Sequence, residues 1–280
     1  MKSINCKGKL IDLETPKVMG ILNLTPDSFY DGGKYKKERD ILQAIEKMLV
    51  DGATFIDIGA YSSRPGASHV SQEEERSRLM PTLQTILKEF DDILLSVDTF
   101  RSQIAKESAE IGASMINDIS AGSLDPEMFE TIALLQVPYV IMHMKGTPQT
   151  MQQNTGYDNL VKEVIHYFSE KVFALRKLGV NDIVIDPGYG FSKTLEQNYE
   201  MLGRSELLNI LELPVLTGLS RKSMLYKVLG TGPENALAAS VAAQSIALMK
   251  GTNILRVHDV KEAVQAIQIV EKIKPWTYDA

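Results

Sequence analysis

The chain has 280 residues, a formal net charge of −6 and a single cysteine, Cys6. One thiol excludes an intramolecular disulfide scaffold and a cysteine-rich zinc site, and the acidic balance argues against a nucleic-acid partner. Residues 1–12 hold no apolar run typical of a signal peptide, and residues 236–249 are shorter than the roughly 20 that a membrane span needs, so we expect a cytoplasmic protein with no membrane partner.

Apolar runs of strand length alternate with amphipathic stretches of helical period along the whole chain. The pattern predicts strands at residues 18–24, 55–58, 93–97, 115–119, 139–142, 183–185, 215–218 and 254–257. It predicts helices at residues 41–50, 73–90, 102–111, 126–135, 160–178, 195–202, 233–249 and 260–273. Strands that are apolar throughout are typical of a parallel sheet covered on both faces.

Eight strands, each followed by a helix, are the repeat of an α/β fold of the TIM (β/α)8 barrel type, which uses about 250 residues as one domain. Gly52, Gly112 and Gly251 are predicted to end helices just before a strand begins. No linker rich in proline or charge divides residues 1–280, so we expect a single domain. Residues before Lys17 form a short N-terminal extension, interpreted as a hairpin over the barrel bottom. A doubly wound open sheet has the same alternation and remains an alternative.

Polar and charged side chains follow nearly every predicted strand, at the end where TIM barrels hold their active sites. They are Asn23, Asp57, Asp98, Asn117, His143, Asp186, Ser220, Arg221, Lys222, Arg256 and His258. A single Asp or Asn after a strand is often an ordinary turn or helix cap. Such residues after eight successive strands are poorly explained as caps and indicate a site.

The chemistry of these side chains differs between strands. Two carboxylates and an amide, from Asp98, Asp186 and Asn117, suit the edge of a flat heterocycle such as an aminopyrimidinone. Three cationic groups in the last two units suit phosphoryl oxygens. These groups are Lys222, Arg256 and His258. The sequence therefore predicts a ligand that joins a heterocycle to a phosphorylated arm.

Two connections are longer than an ordinary turn. Residues 23–37 contain Gly32-Gly33, and residues 59–67 contain Pro65-Gly66. Long loops in a compact domain are more often functional lids than simple connectors, and Gly and Pro supply their hinges and tight turns. We expect both loops to take part in the site.

These positions resemble the dihydropteroate synthase family, the folate-pathway enzymes that sulfonamides target. The matching stretches are M-G-I-L-N-L-T-P-D-S-F at 19–29, D-G-G at 31–33, S-R-P-G-A at 63–67, S-V-D-T at 96–99, I-N-D-I at 116–119, D-P-G-Y-G-F at 186–191, S-R-K-S at 220–223 and R-V-H-D-V at 256–260. They run from the first strand to the last in the family's order, so the resemblance covers the whole barrel.

The resemblance implies a transferase that joins 6-hydroxymethyl-7,8-dihydropterin diphosphate to the amine of p-aminobenzoate and releases diphosphate. It implies Mg2+ as the cofactor and a dissociative, SN1-like path in which diphosphate leaves before the amine attacks. Sulfonamides are the implied inhibitors, and a homodimer is the implied assembly.

The resemblance also implies a role for each matching residue. The pterin-binding residues would be Asp98, Asn117, Asp186 and Lys222. The diphosphate-binding residues would be Ser63, Arg256 and His258, and the Mg2+ ligand would be Asn23. The p-aminobenzoate pocket would consist of Ser63, Arg64, Pro65, Phe191, Lys222 and Ser223. The catalytic residues would be Asp98 and Lys222, with the loop carboxylates Asp27 and Asp31 ordering the closed site.

The chain departs from the usual family pattern at four positions. Tyr61 stands where the family commonly has an acid, Tyr30 where a small residue is common, and Ser192 where glycine is. Ser63 replaces a threonine and keeps its hydroxyl. None of these changes removes a substrate-contacting group. Despite the acidic total, we expect the basic side chains to form one cationic pocket. Its members would be Arg64, Lys222, Arg256 and His258.

Two other functions fit parts of this pattern. A pterin-binding methyltransferase that passes a methyl group to a corrinoid protein would share Asp98, Asn117 and Asp186. It would not need the stretches at 63–65 and 256–258. A non-catalytic pterin-binding subunit would tolerate decay of the two long loops, which are intact here. The synthase resemblance accounts for more of the sequence.

Overall fold

The computed structural model describes residues 2–24, 38–61 and 70–273. A two-stranded antiparallel hairpin comes first, made of β1 (Ser3–Cys6) and β2 (Lys9–Asp12). Eight parallel strands follow: β3 (Lys17–Asn23), β4 (Phe55–Gly59), β5 (Leu95–Asp98), β6 (Met115–Asp118), β7 (Tyr139–Met142), β8 (Ile183–Asp186), β9 (Leu216–Thr217) and β10 (Ile254–Val257). All eight predicted strands are confirmed, with shifts of a residue or two at their ends.

The eight parallel strands form one ring. Strands β3 to β8 pair in chain order, and β10 lies between β3 and β9. The last gap is bridged by a parallel pairing of Ile185 with Val215, and the Ile185 N–H donates to the carbonyl oxygen of Pro214 at 2.9 Å. A closed ring of eight parallel strands joined by helices is a TIM barrel, so the predicted fold class is confirmed and the open doubly wound sheet is excluded.

Helices cover the outside of the ring. They are α1 (Glu38–Val50), α2 (Gln72–Glu89), α3 (Ser102–Ile111), α4 (Met128–Leu135), α5 (Leu160–Lys177), α6 (Leu195–Gly203), α7 (Ser223–Val228), α8 (Leu237–Met249) and α9 (Val260–Ile273). The predicted helix at 233–249 begins later because Pro233–Asn235 forms a separate 3-10 turn. The six-residue α7 is too short to show a helical period. In the described ranges no helix is both long and apolar enough to cross a membrane.

Glycines end several helices, as predicted. Gly112 follows α3 with a φ of 141°, and its N–H donates to the Ser108 carbonyl oxygen at 3.1 Å. Gly52 and Gly251 also have positive φ values, of 102° and 100°. Residues other than glycine adopt such values at a cost, so these positions stop the helix and turn the chain into the next strand.

The N-terminal hairpin covers one end of the barrel. The buried side chains of Ile4, Cys6 and Ile11 pack with Phe55 and Val140, which belong to barrel strands, in one apolar cluster. This confirms the expected hairpin over the barrel bottom and leaves the C-terminal strand ends as the site of polar groups. The prediction of one domain over residues 1–280 includes segments outside the described residues and stays a prediction.

Candidate active site

The predicted site residues lie around the mouth of the barrel opposite the hairpin. Asn23, Asp98 and Asp186 are the last residues of their strands. Asn117 and Arg256 are each the third residue of a four-residue strand, and both lie one residue before its end. The carboxyl ends of parallel barrel strands meet at one rim, so the topology brings these side chains together.

Arg256 joins two carboxylates from different strands. Its Nε donates to Asp57 Oδ2 at 2.6 Å, and its Nη2 donates to Asp98 Oδ2 at 2.8 Å. Asp57 is fully buried, whereas the Asp98 side chain is 20% exposed. Charge-assisted bonds of this kind fix a guanidinium more firmly than neutral ones. Burial lowers the pKa of Arg256, but the two carboxylates outweigh this and raise it, so Arg256 stays charged.

Asp98 and Asn117 lie beside the ion pair of Arg256 with Asp57. The Asn117 side chain is 4% exposed, and its Nδ2 donates to Asp57 Oδ2 at 3.1 Å, which fixes the orientation of the amide. Burial raises the pKa of Asp98 to about 7; Arg256 opposes the rise and the negative charge of Asp57 adds to it. Asp98 therefore titrates close to neutral pH.

Lys222 and Asp186 form the second half of the mouth. The Lys222 ammonium donates to the carbonyl oxygen of Tyr189 and lies 4.7 Å from the centre of the Phe191 ring. Burial lowers the pKa of Lys222 to about 8, against the opposing charge of Asp186. Burial raises the pKa of Asp186, whose Oδ1 accepts from the Gly188 N–H at 2.8 Å. A cation, a carboxylate and an aromatic face thus converge.

A buried lysine shapes the turn after β8. Lys193 is 3% exposed, and its Nζ lies 3.0 Å from the Gly188 carbonyl oxygen, 3.1 Å from that of Phe191 and 3.1 Å from His143 Nδ1. Gly188 has a φ of 69°, and a Cβ there would collide with the His143 carbonyl. Lys193 was not predicted as a site residue, since nothing in its spacing separates it from an exposed loop lysine.

The turn after β9 is held to the start of α9. Arg221 Nε donates to Asp259 Oδ2 at 2.9 Å and Nη2 donates to Oδ1 at 2.8 Å. The His258 N–H donates to Ser220 Oγ at 3.2 Å, and His258 Nδ1 lies 3.3 Å from the same oxygen. Ser223 is the first residue of α7 and is half-buried. Lys222 and His258 are therefore placed by neighbouring turns that contact each other.

Tyr61, near the start of the second long loop, packs against the β5–α3 connection. The Tyr61 ring meets Phe100 edge to face at a centroid distance of 5.0 Å, and its OH accepts from Gln149 Nε2 at 2.8 Å. The Arg101 guanidinium lies 5.5 Å from the Tyr61 ring centre. The tyrosine that departs from the family pattern thus has aromatic, cationic and hydrogen-bonding partners.

Val70, three residues after the end of the same loop, is held by the same arginine. Arg101 Nη2 donates to the Val70 carbonyl oxygen at 2.7 Å, and its Nη1 pairs with the fully buried Glu75. Thr99 Oγ1 donates to the other oxygen of Glu75 at 2.7 Å. No sequence signal marks Glu75, because it follows two further glutamates in α2 that are exposed.

Carboxylates flank two neighbouring cations around the rim. In strand order, Asp186 on β8 is followed by Lys222 after β9 and Arg256 on β10, then by Asp57 on β4 and Asp98 on β5. The convergence of Arg64, Lys222, Arg256 and His258 on one cationic pocket stays a prediction, because Arg64 lies outside the described residues; in the described part of the mouth, carboxylates flank Lys222 and Arg256. Five predicted site residues lie outside the described residues: Asp27, Asp31, Ser63, Arg64 and Pro65.

Metal binding at this mouth would depend on few protein groups. Where the chain is described, no cluster of three or more His, Cys, Asp or Glu side chains could hold a metal ion. Mg2+ commonly keeps several waters and binds substrate phosphates with one or two protein oxygens. The half-buried amide of Asn23 at the end of β3 fits that requirement.

Comparison with known proteins identifies relatives that all belong to one family. Residues 19–258 match the family described as pterin binding enzyme. The dihydropteroate synthase of Escherichia coli strain K12 is 43% identical over 267 residues, which cover 95% of this chain and 94% of that protein. The dihydropteroate synthase of Haemophilus influenzae is 40% identical over 263 residues, covering 93% and 95% of the two chains.

Solved structures agree with these relatives. A Yersinia pestis dihydropteroate synthase in a sulfonamide drug complex has a TM-score of 0.93 at 42% identity, covering 98% of this chain and 99% of that one. A Xanthomonas albilineans dihydropteroate synthase with 4-aminobenzoic acid has a TM-score of 0.89 at 37% identity, covering 97% and 98% of the two chains.

Proposed function

The chain belongs to the dihydropteroate synthases of the pterin-binding enzyme family, transferases of folate synthesis, and we propose for it a Mg2+-dependent, SN1-like reaction. The substrates are 6-hydroxymethyl-7,8-dihydropterin diphosphate and p-aminobenzoate, and the products are 7,8-dihydropteroate and diphosphate. The relatives solved with 4-aminobenzoic acid and with a sulfonamide support p-aminobenzoate as substrate and sulfonamides as inhibitors.

The placement of two cations between carboxylates around one rim carries this proposal. The nearly buried Asp186 accepts from the N–H groups on one edge of the pterin, and Asn117 contacts the same edge. Lys222, beside Asp186, donates to the ring oxygen and N5, while Asp98 faces the opposite edge. A flat heterocycle with donors on one edge and acceptors beside them needs this set of groups.

The first chemical step breaks the bond between the pterin CH2 carbon and the diphosphate oxygen. The electron pair leaves with the diphosphate, which Arg256 and His258 bind, and the CH2 carbon becomes a cation delocalised over the ring. The Asp98 carboxylate lies where it stabilises that positive charge. When bound through the Asn23 oxygen, Mg2+ supplies positive charge to the leaving diphosphate.

The second step forms the new carbon–nitrogen bond. The p-aminobenzoate nitrogen donates its lone pair to the CH2 cation, and one N–H proton is released to solvent. Phe191, Lys222 and Ser223 form the described side of the aminobenzoate pocket. The remaining members of that pocket are Ser63, Arg64 and Pro65. Exclusion of water protects the cation from hydrolysis before the amine attacks.

A purified-protein assay tests the reaction. Pterin diphosphate, p-aminobenzoate and Mg2+ are expected to give equal amounts of dihydropteroate and diphosphate, and a chelator is expected to abolish both. Absence of dihydropteroate would overturn the reaction, and product formation in the presence of the chelator would overturn the metal requirement alone.

Oxygen-18 placed in the bridge between CH2 and diphosphate tests the dissociative path. If the bond breaks before the amine attacks, the label is expected to scramble into non-bridging positions of recovered substrate without p-aminobenzoate. Retention of the label at the bridge during turnover would favour direct displacement. A homodimer and a cytoplasmic location stay predictions, and sedimentation equilibrium of the purified protein tests the first.

A further inference from the structure

We propose that Asp57, which has no place in the substrate-binding set above, is a positioning residue that fixes Arg256 and Asn117 with a single carboxylate oxygen. The inference rests on the proposed function for its kinetic tests. It concerns the side chains that hold the substrate-binding groups, not groups that touch the substrate.

The contacts of Asp57 are concentrated on one atom. Oδ2 accepts from Arg256 Nε at 2.6 Å and from Asn117 Nδ2 at 3.1 Å. These donors come from β10 and β6, which lie on opposite sides of β4 in the strand order. One oxygen thus ties together three strands of the rim, and with them a diphosphate-binding and a pterin-binding side chain.

The other oxygen of Asp57, Oδ1, shows that the surroundings do not satisfy every hydrogen bond of this buried carboxylate. Asp57 is 0% exposed, and its Oδ1 is buried with no hydrogen-bond partner among the residues described. An unsatisfied buried oxygen costs stability. A buried carboxylate that bears this cost is better explained by the side chains it positions than by its own contribution to stability.

Asp57 also acts on Asp98 through the shared guanidinium. Arg256 bonds both carboxylates, so the two negative charges are held on either side of one positive group. The charged groups facing Asp98 are Arg256, Asp57, Glu75 and Asp118. The Arg256 charge favours ionisation of Asp98, and the three carboxylates oppose it.

Two substitutions separate geometry from charge. Asp57→Ala removes the acceptor for both donors, so kcat/KM for pterin diphosphate is expected to fall about 30-fold or more, with KM for p-aminobenzoate within about threefold of wild type. Asp57→Asn keeps an amide oxygen for Arg256 but removes the charge. Its loss lowers the pKa of Asp98, so the acid limb of kcat/KM is expected to move about half a pH unit or more to lower pH.

Asp118→Asn is the matched control. Asp118 is an equally buried carboxylate on β6, two strands away from β4, and among the described residues it bonds Tyr139, Ser120 and Gly122 and no arginine. It is expected to lower the melting temperature while changing kcat/KM at the optimum pH less than about threefold. Its charge opposes ionisation of Asp98 less than that of Asp57 does, so the acid limb is expected to move less than in Asp57→Asn. If Asp57 had only a structural role, the Asp57 and Asp118 variants would show similar changes in melting temperature and in kcat/KM.

A measurement on the side chain itself needs no turnover. The Arg256 Nε–H resonance in 15N NMR is expected to show a strong hydrogen bond in wild type and Asp118→Asn, and to lose it in Asp57→Ala. The inference would be overturned if the wild type is active and the Asp57 variants have the same kcat/KM and the same position of the acid limb. An unchanged Nε–H resonance would overturn it too, whether or not the proposed reaction is observed.

Discussion

The ammonium of Lys222 donates to the backbone carbonyl of Tyr189, which ties the turn after β9 to the turn after β8. The same ammonium lies over the Phe191 ring at 4.7 Å. A lysine held by a carbonyl and an aromatic face, with a carboxylate nearby, is set in one position before substrate arrives. Preorganised charge of this kind is the main source of transition-state stabilisation in many enzymes.

Lys222 is expected to set the alkaline limb of the pH profile of kcat/KM. Burial lowers its pKa to about 8, so the charged form that donates to substrate is lost as pH rises through that value. Lys222→Arg keeps a charge that does not titrate in this range, so the variant is expected to have low activity without the limb near pH 8. Lys222→Met is expected to lower kcat/KM by about 100-fold or more. A limb that persists in Lys222→Arg would assign it to another group.

Phe191 is expected to affect p-aminobenzoate more than pterin diphosphate. Phe191→Ala removes an aromatic surface and its contact with the Lys222 ammonium, which together contribute about 1–3 kcal/mol. KM for p-aminobenzoate is expected to rise about tenfold or more, and KM for pterin diphosphate much less. Phe173→Ala, on the exposed face of α5, is the control and should change neither. Equal rises in both KM values would contradict the assignment.

Arg101 is expected to contribute strongly to stability. Arg101→Ala leaves the fully buried Glu75 without its ion-pair partner, which typically costs about 3–5 kcal/mol. The free energy of unfolding in urea measures the loss. Arg76→Ala removes an exposed pair with Glu107 and is expected to have little effect. If both variants unfold alike, the Glu75 pair does not stabilise the fold.

Lys193 is expected to give the fold a specific pH dependence. Burial lowers its pKa from the ordinary 10.5 to about 7, so between these values the unfolded chain binds the additional proton. Stability from this group therefore rises with pH from about 7 to about 10.5. Lys193→Met lacks that increase, and the difference in unfolding free energy between the two proteins should change across the range. A constant difference would show that Lys193 keeps an ordinary pKa.

Much of the fold follows from local pattern. Apolar runs such as those at β7 and β10 specify buried strands, and glycines such as Gly112 specify where helices end. The closure of the barrel between Ile185 and Val215 has no local signal, because that pairing depends on the curvature of the whole ring. The strand count predicted the barrel only by its agreement with a known repeat.

The sequence predicts which described strand-end residues reach the rim, but not how their side chains pair. Asp57 stands at a strand end in the sequence, yet its partner Arg256 is 199 positions away and no spacing links them. Glu75 cannot be told from its exposed neighbours by residue type, and Lys193 resembles any loop lysine. Which charges neutralise each other depends on strand order around the ring. That order also places carboxylates on either side of Lys222 and Arg256.

The hairpin that covers the barrel bottom has a kinetic consequence. With that end filled by Ile4, Cys6 and Ile11, both substrates must share the opposite opening. The pterin-edge groups Asn117 and Asp186 are 4% and 7% exposed, deeper than the half-buried Phe191 of the aminobenzoate pocket. We therefore expect the proposed pterin substrate to bind first, and p-aminobenzoate to follow it and lie between the bound pterin and solvent. Ordered kinetics with the pterin substrate first would follow from this difference in depth.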